Sequence, residues 1–157
     1  EPIEDAWGRS ASMLRAIAEH AGECGVRLVL EALQPVESMI VNSAADTKRM
    51  IEAVDHPALK ACLDLGAMAV AGDTIDDYFD LLGDDVAHVH FVDVAADGTT
   101  HLAWGDGDRD MRADLDRLVA RGYRGAVSAE TYDWRYFADP AAADAQVMAE
   151  YRRAIGV

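Results

Sequence analysis

Val86-Ala87-His88-Val89-His90-Phe91-Val92-Asp93 is a short, mostly apolar run that follows a helix stop at Gly83. A run of this length and character reads as a buried strand. In an extended chain His88, His90 and Val92 share one face, while Val89 and Phe91 take the other. Three similar runs lie along the chain: Val26 to Leu33 (VRLVLEAL), Leu59 to Gly66 (LKACLDLG) and Gly125 to Tyr132 (GAVSAETY). Each carries a carboxylate at or near its end, namely Glu31, Asp64 and Glu130. Parallel strands in successive βα units present their C-terminal ends at one face of the sheet. Glu31, Asp64, His90 and Glu130 would therefore meet at one point. This mixed oxygen and nitrogen donor set suits Mn²⁺, Co²⁺ or Mg²⁺, with Zn²⁺ also compatible, better than it suits a thiolate site.

The segments between these runs read as helices. From Asp5 to about Cys24 the apolar positions Ala6, Met13, Leu14, Ile17 and Ala18 recur at helical spacing, and Gly25 supplies a stop. Ser43 caps a helix through Val54, with Pro57 after its end. Asp73 or Thr74 caps another that ends near Gly83, and Asp108 or Asp110 opens one that ends at Gly122. Asp139-Pro140 places an N-cap before a proline at the first helical position, opening a last helix to Arg153. Strands alternating with helices define an α/β fold with a parallel sheet.

At 157 residues and 51% hydrophobic content, residues 1–157 form a single domain with room for a real core. The formal net charge is −15, and Lys48 and Lys60 are the only lysines, so a nucleic-acid backbone or an anionic membrane would be repelled. Cys24 and Cys62 read as small apolar fillers in a reducing compartment. No apolar run is long enough to span a bilayer, and Glu1-Pro2-Ile3-Glu4-Asp5 lacks the pattern of a signal peptide. The expectation is a soluble, cytoplasmic protein.

Singly, each strand-end carboxylate has a plainer role available, as a cap on the next helix or as half of an ion pair. Together they are harder to explain, because clustered carboxylates repel and lose solvation unless a cation joins them. His90, nearer the strand end, is the better ligand; His88, one layer deeper, reads as a hydrogen-bonded core residue. His101 either reaches the site from the following loop or stays solvated. Gly105-Asp106-Gly107 reads as a turn, since it lacks the dinucleotide fingerprint. Trp104 and Trp134 are candidates for an apolar wall over a substrate, or else they pack between helices. His20 and His56 read as surface or helix-end residues.

With LVLEAL, CLDLG, HVHFVD, WGDGD and RGYRGAVSAETY in this order, the chain resembles the xylose isomerase-like barrel family of sugar phosphate isomerases and epimerases, especially its ketose 3-epimerase branch. The resemblance implies the C-terminal half of a (β/α)8 TIM barrel, carrying strands five to eight of the family fold. It implies one divalent cation held by Glu31, Asp64, His90 and Glu130. It also implies isomerase chemistry on a small-molecule sugar, a ketose or keto-polyol, in which Glu31 and Glu130 exchange a proton through a metal-stabilised enediolate. Dehydration of a keto-sugar or keto-inositol is the alternative within the family, and a non-catalytic sugar-binding relative is a further one. Glu37 matches a family position that contacts the substrate's terminal hydroxyls, with a solvated loop carboxylate as its plainer reading. Two positions depart from the epimerase pattern: Ala67 stands where a substrate-binding His is expected, and Ala96 where an Arg is expected. Apurinic endonucleases share the fold, but Ala67 removes one of their zinc ligands and the acidic surface fits DNA badly.

Half a barrel leaves two unpaired edges and an uncovered inner face. The expectation is therefore an N-terminal half of similar size outside this sequence, or assembly with a second copy or another polypeptide. An open four-stranded layer standing alone is the remaining alternative. Few basic side chains lie near the strand ends, which points to an unphosphorylated substrate.

Overall fold

The computed structural model describes residues 3–157, and its spine is one parallel sheet whose strands lie side by side in chain order. The strands are β1 (Leu28–Glu31), β2 (Leu59–Asp64), β3 (Val86–His90) and β4 (Ala126–Ser128). The register pairs Glu31 with Cys62, Asp64 with His90, and His90 with Ser128. The three ligand candidates inside strands thus fall near one level of the sheet, and Glu130 follows two residues past β4. Strand alternation then sorts the side chains. Leu28, Leu30, Ala61, Leu63, Val89 and Phe91 face the helices and join the apolar clusters. Glu31, Cys62, Asp64, His88 and His90 face the other way, toward the inside of a partial barrel.

Helices follow the sheet as α1 (Ile3–Glu23), α2 (Ala44–Val54), α3 (Leu65–Ala71), α4 (Ile75–Leu82), α5 (Met111–Ala120) and α6 (Pro140–Ile155). Their starts are set by local chemistry. Ser43 accepts from the Asp46 amide, Asp110 from Ala113, and Asp139 from Ala142, with Pro140 in the first helical position. Thr74 and Asp77 form a reciprocal capping box at α4, which settles the cap on Thr74. One core cluster lies between the sheet and α4 and α5, around Leu63, Tyr78, Phe79, Val89, Phe91 and Leu118. A second joins α1 and α2 to β1 through Trp7, Ala18, Met50 and Val54.

Two features depart from the sequence expectation. A short helix, α3, starts immediately after β2 because the Asp64 side chain caps it. Its run of small residues, LGAMAVA, carries no helical period long enough to recognise. Cys24 is exposed, not a core filler: it sits just past the end of α1, where the chain turns at Gly25. Cys62 is buried as expected. No helix among the described residues is long and apolar enough to cross a membrane.

The connection from β3 to α5 is built around Asp93, which is 1% exposed. Its carboxylate accepts the amide hydrogens of Val94, Gly105, Gly107 and Arg109 at 2.8–3.1 Å. A Cβ at Gly107 would run into that carboxylate, so glycine is required there by close approach. The Gly105-Asp106-Gly107 turn is therefore an anion-binding nest already filled by the chain's own Asp93.

Candidate metal and proton-transfer site

At the C-terminal ends of the strands, the His90 Nδ1 nitrogen lies 2.7 Å from Glu31 Oε1, 2.8 Å from Glu130 Oε2 and 3.8 Å from Asp64 Oδ2. One donor atom from each of these four residues lies within 4.8 Å of the other three. Glu31, Asp64 and His90 project from neighbouring parallel strands and Glu130 from just beyond the next one. Asp64 divides its carboxylate between two tasks. Oδ1 accepts the Ala67 amide at 2.6 Å and so starts α3, whereas Oδ2 is buried with no hydrogen-bond partner. A bare, buried carboxylate oxygen costs free energy unless a cation completes it. Two further carboxylates and an imidazole around that oxygen complete a donor set that fits a divalent ion.

Protonation states follow from the crowding. Burial pushes the Asp64 carboxyl above its usual range, opposed by the Ala67 amide and then by His101. The Cys62 thiol against the ring and the Glu31 carboxylate push the His90 pKa up to about 11, so the metal-free imidazole is a cation at neutral pH. His88 is shifted downward by burial and then by the His90 charge. It sits one layer below, where Nε2 lies 2.8 Å from the Ser128 hydroxyl and the ring meets His90 edge to face.

The pocket above these residues has a volume of about 240 Å³ and is lined by Glu31, Ala32, Leu33, Glu37, Asp64, Ala67, His101, Glu130 and Tyr132. Glu37 and His101 are thus brought to the site. Glu37 also accepts the Gln34 amide at 3.1 Å. His101 Nε2 lies 3.8 Å from Asp64 Oδ2 and 4.0 Å from Glu130 Oε2, on the pocket wall shared with Ala67. Its backbone is left-handed, at φ 57°, a conformation that most side chains avoid. Surrounding bonds hold it there: the Tyr132 amide donates to the His101 carbonyl at 2.9 Å. Thr100 Oγ1 lies 2.8 Å from His101 Nδ1 and accepts from Gln34 Nε2 at 2.9 Å.

Neither Trp104 nor Trp134 lines this pocket. Trp104 packs edge to face on Phe91, on the helix side of the sheet, because the run from Phe91 onward turns that way. Trp134 opens a 3-10 turn and is 78% exposed. Ala96 is exposed and bonded to Asp108, away from the pocket. Tyr132, two residues past Glu130, lines the pocket although its sequence position carried no separate signal. Asp93 likewise looked like an ordinary strand-end carboxylate, and only the folded loop reveals the four amides aimed at it.

The profile of the xylose isomerase-like TIM barrel family matches residues 1–154, and the chain belongs to that family. It is 36% identical over 124 residues to a fructoselysine 3-epimerase of Escherichia coli, covering 79% of this chain and 45% of that protein. It is 32% identical over 136 residues to a 3-dehydroshikimate dehydratase of Pseudomonas putida, covering 81% of this chain and 21% of that protein. The fold superposes on the crystal structure of a D-psicose 3-epimerase with D-tagatose from Clostridium cellulolyticum. The TM-score is 0.78 at 23% identity, over 100% of this chain and 58% of that one. The chain therefore spans about half the length of the fructoselysine 3-epimerase.

Proposed function

We propose that this chain carries the metal-binding and proton-transferring residues of a divalent-metal-dependent sugar isomerase or epimerase acting on a ketose or keto-polyol. The observation that carries the reading is the convergence of Glu31, Asp64, His90 and Glu130 around the unpartnered Oδ2 of Asp64. Mn²⁺, Co²⁺ or Mg²⁺ is the favoured occupant, because the ligand set is three carboxylates and one nitrogen. When bound, the cation would supply Lewis acidity to a substrate carbonyl and its neighbouring hydroxyl, which acidifies the C–H between them.

The protein's own groups do the rest. Glu31 and Glu130 approach His90 from strands on either side of it, and their carboxylates are the bases at hand to take a proton from carbon and return it. His101 and Glu37, at the rim of the same pocket, are placed to orient substrate hydroxyls. Among the described residues no Arg or Lys lines this pocket, which supports an unphosphorylated substrate. In this reading, further strands against the free edges of β1 and β4 complete the inner wall, from another part of a longer chain or from a second copy.

The similarity to a 3-dehydroshikimate dehydratase favours a second reading, dehydration of a keto-sugar or keto-inositol. It begins with the same proton removal and ends with loss of a β-hydroxyl. Incubation with a panel of free ketoses and keto-inositols in deuterated solvent, with and without added Mn²⁺, separates the two. Deuterium at the carbon beside the carbonyl with the skeleton intact supports the isomerase; loss of water supports the lyase. Metal binding without exchange on any substrate would leave only a non-catalytic, binding role. Glu130→Gln should abolish exchange in either enzyme while sugar binding persists.

A further inference from the structure

Below the oxygen-rich cluster lies a donor that the proposed reaction does not use. Cys62 sits one layer deeper than Asp64 on the inner face of β2, in register with Glu31 on one side and His88 on the other. It is a free thiol, completely buried, yet it belongs to none of the apolar clusters and lies against the His90 ring. One donor atom from each of Glu31, Cys62 and His90 lies within 4.8 Å of the other two. Bonds of about 2.0–2.3 Å to a single divalent ion would close that spread with small side-chain movements. Glu31 and His90 are common to this set and to the upper one, so an ion in one position excludes an ion from the other.

We propose that Glu31, Cys62 and His90 form a second, softer metal position that takes a thiophilic divalent cation such as Cd²⁺ or Zn²⁺ in place of the harder ion above. The inference rests on the metal-binding reading of the upper cluster through the two shared ligands. On binding, the Cys62 S–H releases its proton to solvent as the sulfur–metal bond forms, and a His90 ring nitrogen and a Glu31 oxygen supply the other two bonds through their lone pairs. The thiolate makes the position selective for soft ions. Cys62 does not line the substrate pocket, and an ion bound there leaves Asp64 and Glu130 without a metal. Soft cations are therefore competitors of the harder ion that bind without supporting turnover.

The test uses a Cys24→Ser background, which removes the exposed thiol beside His20. Cd²⁺ is titrated while near-ultraviolet absorption and cadmium NMR are followed, and Mn²⁺ is titrated in parallel by electron paramagnetic resonance. One equivalent of Cd²⁺ should give a thiolate-to-metal band and a sulfur-ligated cadmium resonance. Adding Cys62→Ser should remove both and weaken Cd²⁺ by roughly 10- to 100-fold, while Mn²⁺ binds at least as tightly as before. Cd²⁺ bound without a thiolate band, or a band that survives Cys62→Ser, overturns the inference while leaving the upper site standing if Mn²⁺ still binds. Binding of neither ion overturns both. Should Cys62→Ser fail to fold, the spectra of the Cys24→Ser protein decide alone, because only Cys62 remains to supply a thiolate.

Discussion

Asp64 gives one carboxylate oxygen to the amide of Ala67 at 2.6 Å and keeps the other bare toward His90 and His101. One side chain therefore starts a helix and joins the candidate ligand set, and two substitutions separate those tasks. Asp64→Asn retains an oxygen for the Ala67 amide but turns an NH₂ toward the cluster. It should fold with stability close to wild type while Mn²⁺ affinity falls by more than about 100-fold. Asp64→Ala loses the cap as well, costing about 1 kcal/mol at the start of α3. Chemical denaturation and Mn²⁺ titration on both variants check the pair.

Metal binding should displace a proton. His90, with a pKa near 11 in the metal-free protein, is charged at neutral pH, and a metal must take the same lone pair. Apparent Mn²⁺ affinity should rise with pH, up to about tenfold per unit below that pKa for one displaced proton. The complementary effect appears in the metal-free protein. Because the folded pKa lies above the ordinary imidazole value of 6.5, the contacts to His90 add stability that is fully present below pH 6.5 and is lost as pH rises toward 11. Calorimetry in buffers of different ionisation enthalpy should count about one proton released per Mn²⁺ in the upper position.

His101 stands 3.8 Å from Asp64 Oδ2, across the wall that Ala67 leaves without an imidazole of its own. His101→Ala should lower kcat/KM for the substrate by about 10- to 100-fold while leaving Mn²⁺ affinity nearly intact. His101→Asn tolerates the left-handed backbone and should match the alanine variant in activity but exceed it in stability. An equal loss of metal affinity in both variants would instead make His101 a ligand.

Replacing Gly107 by alanine should destabilise the protein by about 2 kcal/mol or more, since the new methyl meets the Asp93 carboxylate. Asp93→Ala leaves the amides of Val94, Gly105, Gly107 and Arg109 without their acceptor and should cost more than Asp93→Asn. Thermal unfolding of the three variants ranks these effects.

The strands and most helix starts were legible because each rests on local chemistry: short apolar runs, and Ser43, Thr74, Asp110 and Asp139 before the helices they cap. The four strand-end groups were legible because parallel connectivity turns their sequence order into spatial convergence. What stayed hidden depends on contacts between distant segments. Helix α3 begins at the Asp64 bond to the Ala67 amide, and Trp104 follows the turn of the loop onto Phe91. Asp93 has no local pattern that distinguishes it from any other aspartate. Cys62 reads as a filler until the register places it between Glu31 and His88.

The pocket rim is made of loops that follow different strands, and residues 100 and 101 join them. Gln34, from the loop after β1, donates to Thr100, and Tyr132, from the segment after β4, donates to the carbonyl of His101. In the proposed sugar-isomerase reading, a change of substrate preference is thus constrained by epistasis: a substitution at Gln34 alters the position of His101 before it touches any substrate, and its effect depends on what stands at position 100. Selection for a new substrate on this scaffold would proceed through coupled pairs across the rim, with single substitutions at Gln34 or Thr100 losing activity that the right second change restores.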